Sequence, residues 1–209
     1  MKIGIIGAGN IGENAARLFV KAGHEVALAN SRGAETLASL ASEIGAKAMN
    51  LKDAVQFGEV VLVAVPFGKY ETIPPESFQN KIVIDANNYY SDRDGQFADI
   101  DDGKTTSSEL LAEHLKDARI VKAFNTIWFE HLKTQGDVGL PVEERRAIFV
   151  AGDDAEAKKI VSDLIVEIGF AAFDTGSLRD GGSAQEPGTA IYNRNLTESE
   201  AEGVMQSGY

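Results

Sequence analysis

Cysteine is absent from the 209 residues, which excludes a disulfide framework, a thiolate metal site and a cysteine nucleophile. Histidine is scarce: His24, His114 and His131 stand far apart, and no pair has the spacing of a metal-binding motif. No metal site is expected. Basic residues are outnumbered, 20 Lys and Arg against 32 Asp and Glu, for a net charge of −12. A field of that sign repels nucleic-acid phosphates and anionic lipid, so neither is an expected partner. Long apolar runs are missing too; none approaches the ~20 residues of a membrane span. The apolar opening Met1–Gly7 reads as too short for a secretion signal, with Glu13 and Arg17 following at once. The expectation is a cytoplasmic protein.

What remains is ordinary globular material, 44% hydrophobic and 25% charged. The length suffices for one domain with a real core, or one domain and a small lobe. The first 125 residues alternate β-branched runs with segments of helical period. Strands are expected at 2–7, 25–30, 46–49, 59–65, 81–85 and 119–124, and helices at 10–22 and 34–44. Glu59–Val65 is almost continuously apolar, as suits a parallel strand covered on both faces. Alternation of this kind predicts an α/β, Rossmann-type doubly wound, mostly parallel sheet with right-handed crossovers. Beyond residue 125 the texture changes. A loop at 134–144 leads to a strand at 146–151, a helix at 153–168 and a strand at 170–174. Asp153-Asp154-Ala155-Glu156 has the spacing of a capping box, as has Thr106-Ser107-Ser108-Glu109. Residues 175–209 are polar and aperiodic, and read as an arm lying on another surface or as a solvated tail. The division is therefore a Rossmann domain at 1–125 and a small C-terminal lobe with its arm at 126–209.

Gly7-Ala8-Gly9-Asn10-Ile11-Gly12 forms a G-x-G-x-x-G between the first strand and the first helix. Twenty-one glycines make chance matches common, but position supports the motif. Gly7 permits the tight turn, Gly9 lets backbone approach a pyrophosphate, and Gly12 lets helix and strand pack closely. The helix N-terminus, with Asn10 and Ile11, offers free N–H groups and a positive dipole end. At the end of the second strand NAD-binding chains place an acid for the ribose hydroxyls. Here the residues are Asn30-Ser31-Arg32. A forked guanidinium beside a hydroxyl suits a 2′-phosphate, which selects NADP(H) as the cofactor.

With these residues on the page, the chain resembles the NADPH-dependent deazaflavin (coenzyme F-420) reductases and their bacterial NADP oxidoreductase-like relatives. The matching stretches are Ile5–Gly12, Asn30–Arg32, Ile82–Asn88, Ser107–Leu111, Val121–Thr126 and Asp174–Asn193, the last with Glu186-Pro187-Gly188-Thr189. The resemblance implies NADPH at the strand tips, hydride exchange with a deazaflavin or flavin as co-substrate, and a homodimer. The chain departs from the pattern at Asn88-Tyr89, where the reductases read Asn-Pro, and near Ser183, where they carry Arg.

Ligands of open α/β sheets bind outside the strand C-termini. Pro66 and Phe67 follow the fourth expected strand, and either flank the cofactor or form a structural turn. Asn87 follows the fifth strand and Asn125 the sixth; each is a ligand contact, or else a turn or N-cap residue. Asn88, Tyr89 and Tyr192 fall on the side of the small-molecule electron acceptor, with Asn193 beside them. Trp128 and Phe129 read as core or interface, and His131 as an ordinary solvated histidine. No Tyr has Lys four residues on, and no Lys one turn from an Asn follows Thr126. Ring-to-ring hydride transfer needs no such donor. The alternatives are an NADPH-dependent reductase of a small imine or carbonyl, with Tyr89, Tyr90 or Tyr192 as donor, and a non-catalytic NADP(H) sensor.

Overall fold

A computed structural model describes residues 1–206. Its strands are β1 (Lys2–Ile6), β2 (Glu25–Ala29), β3 (Lys47–Ala48), β4 (Val60–Val63), β5 (Ile82–Asp85), β6 (Arg119–Lys122), β7 (Ala147–Ala151) and β8 (Ala171–Gly176). They form a single eight-stranded sheet in the order β3-β2-β1-β4-β5-β6-β7-β8. Every pairing is parallel except β6 with β7, which is antiparallel with Lys122 opposite Ala151. The order reverses between β1 and β4, and the crevice at such a reversal is where doubly wound sheets take their ligands. The expected boundary at residue 125 falls just past β6, where the sheet changes direction.

Both faces of the sheet are covered, which explains the unbroken apolar strands. Alternate residues go to opposite faces. On one face Ile3, Ile5, Leu62, Ile84 and Val121 pack against Phe19 of α1 (Asn10–Lys21) and Val161 and Ile165 of α8 (Ala155–Glu167). On the other, Ile6, Val61, Val63 and Val83 meet Ala54 and Val55 of α3 (Leu51–Phe57) and Leu111 of α6 (Ser107–His114). Among the described residues no helix is long and apolar enough to cross a membrane.

Several expectations needed correction. The segment 34–44 is not one helix: a 3-10 turn at Ala34–Leu37 precedes α2 (Ala38–Ile44). Helix α3 was not anticipated, although Asn50 caps it by accepting from the Asp53 N–H at 2.9 Å. Between β5 and α6 lie two single turns, α4 (Ser91–Asp94) and α5 (Ala98–Asp101). Thr106 and Glu109 do form a capping box. The box expected from Asp153 does not form; Asp154 is the N-cap of α8, while Asp153 accepts from the Leu178 N–H at 2.9 Å. After β6, α7 (Phe129–Thr134) leads to the loop before β7.

Of the two readings of the C-terminal arm, the structure shows the first: through residue 206 it is not a solvated tail but lies on the sheet. It carries α9 (Asp180–Ala184) and α10 (Glu198–Gln206), and buries Ala184, Ile191, Leu196 and Ala201 against Phe149 of β7. Ala147 N–H donates to Leu196 O at 2.7 Å, so the arm also pairs with a strand. Residues 207–209, the end of the expected arm, lie outside the described residues.

Candidate functional site

A cleft of about 370 Å³ opens at the C-terminal tips of β1, β4, β5 and β6. Gly9, Asn10, Ile11, Pro66, Asn87, Asn88, Asn125 and Tyr192 line it, as do Tyr90, Arg93 and Trp128.

The glycines of the β1–α1 turn divide by what surrounds them. Gly7 has φ +105°, and a Cβ there would lie 2.2 Å from Ala64 O. A Cβ on Gly12 would lie 1.8 Å from Gly7 O. Both positions are closed by the protein's own backbone. A Cβ on Gly9 would meet nothing within 4 Å. Gly9 is also the N-cap of α1 and makes no side-chain capping bond, so the first N–H groups of a twelve-residue helix stay available. This open glycine at a dipole-positive end fits a pyrophosphate.

At the tip of β2, Asn30 shapes the next turn: its Oδ1 accepts from the Arg32 N–H at 2.8 Å, and its Nδ2 donates to Thr36 Oγ1 at 2.9 Å. Ser31 and Arg32 are exposed. The sequence reading overlooked Glu35. A Cβ on Gly33 would lie 2.3 Å from the Glu35 Oε1, so a carboxylate overhangs the turn that carries Arg32.

Two asparagines in the cleft keep unpartnered amide atoms. Asn87 Oδ1 accepts from the Val65 N–H at 2.9 Å, which orients the amide and leaves Nδ2 as a buried donor without a partner. Asn125 Nδ2 donates to Gln185 O at 2.8 Å and to Asn88 Oδ1 at 3.2 Å, leaving Oδ1 as a buried acceptor without one. Buried polar atoms are seldom left so. One free donor and one free acceptor match a carboxamide, the polar group of a nicotinamide. Asn125 caps no helix, since α7 begins at Phe129 after Trp128.

Tyr192 closes the cleft from the arm. Its hydroxyl bonds that of Tyr90 and accepts from Asn88 Nδ2 at 3.4 Å. Burial first, and then the Tyr90 hydroxyl, push the Tyr192 phenol well above the ordinary range. Arg93 lies 4.9 Å from the Tyr90 ring centre and donates to Asn88 O at 2.6 Å. Its charge is met by Asp94 through bonds of 2.9 and 2.7 Å.

Two expected site residues are elsewhere. Phe67 is fully buried, stacked on Tyr70 at 4.8 Å and edge-on to Tyr89 and Phe97. Tyr89 belongs to the same cluster and donates its hydroxyl to Asp101 Oδ1 at 2.9 Å. Of the adjacent pair, Tyr89 turns inward and Tyr90 faces the cleft. Conversely Trp128, expected in the core or an interface, is 48% exposed on the cleft wall. His131 is not merely solvated. It packs edge-on to Trp128 at 5.0 Å, and its Nδ1 accepts from Arg146 Nη1 at 2.6 Å. Among the described residues Arg146 has no carboxylate partner, and burial pulls its guanidinium down to about 10.

The model of the family described as NADP oxidoreductase, coenzyme F420-dependent, matches residues 2–89, which hold the glycine turn, Arg32, Asn87 and Asn88. Residues 2–89 thus carry this family's sequence pattern. A hypothetical protein, SMa0349 from Sinorhizobium meliloti, is similar over 94% of this chain and 95% of its own, at 34% identity and a TM-score of 0.82. The F420-dependent NADP reductase of Methanocaldococcus jannaschii is 32% identical over 61% of this chain and 57% of its own length. The metalloreductase STEAP3 of Rattus norvegicus is 29% identical over 85% of this chain and 34% of its own length. The chain thus spans less than two thirds of either of these two relatives. The match over the glycine turn and Arg32 supports the NADP cofactor reading and leaves the acceptor to the cleft.

Proposed function

We propose that the chain is an NADP(H)-dependent oxidoreductase that exchanges hydride between NADPH and a deazaflavin or flavin-like ring. The observation that carries this reading is the pair of free amide atoms, Asn87 Nδ2 and Asn125 Oδ1, in the cleft beside the open Gly9 turn. Bound NADPH would supply the hydride. The α1 N-terminus with Gly9, Asn10 and Ile11 would hold the pyrophosphate, and Ser31 and Arg32 the 2′-phosphate. Pro66 flanks the cofactor path, while Asn87 and Asn125 orient the carboxamide.

The acceptor then lies toward Asn88, Tyr90, Trp128 and Tyr192. Trp128 offers a half-exposed aromatic wall, suited to covering a planar ring and excluding water. Arg93 is already neutralised by Asp94, so the wall favours a ring over a strongly anionic group. The family's homodimer and a cytoplasmic setting belong to the same reading; sedimentation tests the first.

The hydroxyl pair of Tyr90 and Tyr192 favours one second reading, reduction of a small imine or carbonyl, because it places a proton donor in the cleft. NADPH consumption with a deazaflavin, with free flavins and with small cyclic imines separates the two. Turnover with a ring acceptor supports the first reading, turnover with imines alone replaces it, and binding without turnover leaves the sensor.

A further inference from the structure

Lys122, at the end of β6, is fully buried. An ammonium is seldom taken out of water without partners. Its Nζ donates to Ser108 Oγ at 2.9 Å and Ser107 Oγ at 3.1 Å, and reaches Asn87 O at 3.5 Å. Each hydroxyl passes the contact to a carboxylate. Ser108 donates to Asp85 Oδ2 at 2.5 Å, and Ser107 to Glu186 Oε1 at 2.7 Å. Glu186 itself lies 3.6 Å from Lys122. Asp85 is also fully buried, and that burial raises its carboxyl above the ordinary range against the pull of Lys122.

The network ends on the two amides of the cleft. Asp85 Oδ1 accepts from the Asn87 N–H at 3.0 Å while Lys122 approaches the Asn87 carbonyl. With Oδ1 held by Val65, every polar group of Asn87 except Nδ2 is fixed. On the other side Glu186 fastens the arm to Ser107, and its neighbour Gln185 offers the carbonyl that holds Asn125 Nδ2. We infer that the buried Lys122–Asp85–Glu186 network is a positioning device for the nicotinamide subsite, setting the free donor of Asn87 and the free acceptor of Asn125 at once. It rests on the reading of the cleft as the NADPH site. Buried ion networks add little stability over an apolar replacement, so a positioning role gives this one a reason to exist.

The test compares NADPH with 2′-phospho-ADP-ribose, the same molecule without its nicotinamide, by calorimetric titration of the full chain. The native protein binds NADPH more tightly. In Lys122→Met the affinity for 2′-phospho-ADP-ribose stays native while the advantage of NADPH falls by about tenfold, the loss of roughly one oriented hydrogen bond. The double variant D85N/K122M removes both buried charges and keeps the fold where the single variant fails. It is expected to lose the same advantage. An unchanged ratio, an equal loss of both ligands, or a double variant that no longer melts cooperatively makes the network structural and overturns the inference. A native protein that binds the two ligands equally overturns the cleft reading, and this inference with it.

Discussion

Tyr90 and Tyr192, 102 residues apart in sequence, meet hydroxyl to hydroxyl across the cleft. One proton of the pair is shared and the other is free to reach an acceptor. Ring-to-ring hydride exchange does not need it, whereas an imine or carbonyl does. Tyr192→Phe is therefore expected to leave NADPH-dependent reduction of a deazaflavin or flavin within a few-fold of native. A loss of about 100-fold or more would move the assignment to imine or carbonyl chemistry.

At the β2 tip, Arg32→Ala should weaken NADPH by about 1.5–3 kcal/mol, the worth of a charge-assisted bond, and leave NADH nearly unchanged. Glu35→Gln should act the other way, since it removes a carboxylate overhanging the turn that would face the 2′-phosphate. Titration of both nucleotides checks each variant. Equal native affinities for NADPH and NADH would rule out the phosphate role of Arg32.

Gly9→Val should abolish dinucleotide binding in a protein that melts like the native one, because its side chain enters open space. Gly12→Val should instead fail to fold, because a Cβ there meets Gly7 O at 1.8 Å. Thermal melting beside NADPH titration separates the two. A folded Gly9→Val that still binds NADPH contradicts the pyrophosphate reading.

The strands and the glycine turn were legible because both are local: apolar runs, a motif and its flanks specify them. The asparagines at the strand tips followed from the same rule. Phe67 took the structural alternative, opening a 3-10 turn with its ring in the core, and Tyr89 was misplaced because the sequence does not mark which of Tyr89 and Tyr90 faces in. Arg146 with His131 leaves no signal either, since a buried Arg served by carbonyl, amide and imidazole groups looks like any charged residue. The helices of the arm escaped notice for a related reason. Ile191, Leu196 and Ala201 have no period of their own, and acquire one only against Phe149 and Phe173.

The packing of the arm decides what truncation should do. Removing everything after Asp174 strips the apolar cover from Phe149, ends β8 two residues early and deletes Gln185, Glu186 and Tyr192. The shortened chain is expected to melt well below the native one, by more than the roughly 2–4 °C that each kcal/mol represents at this length. An unchanged melting temperature would show the arm to be dispensable for the fold.

Acid should act through Asp94. Its side chain is 1% exposed. Burial alone would raise its carboxyl, but the Arg93 side chain and the backbone N–H groups of Tyr90 and Gly68 outweigh that and hold it below the ordinary range. A lowered folded value means stability that is present above the unfolded carboxylate range and lost as pH falls through the folded value. Asp94→Asn should therefore melt a few degrees below native near neutrality, with the gap closing at the acid end. A gap that stays constant across the titration would contradict this.

The antiparallel junction of β6 with β7 rests on one opposed pair, Lys122 and Ala151. The ion pairs of Arg119 with Glu156 and Asp154 bridge the same boundary at the surface. The sheet thus reads as six strands and two joined at this pair, with α8 packing across the join, and the join lies at the residue proposed to steady the cleft. On that proposal, a slip at the join would reach Asn87 through Lys122. On the same proposal, the docking of the last two strands and the grip on a ligand would be set by one residue, Lys122.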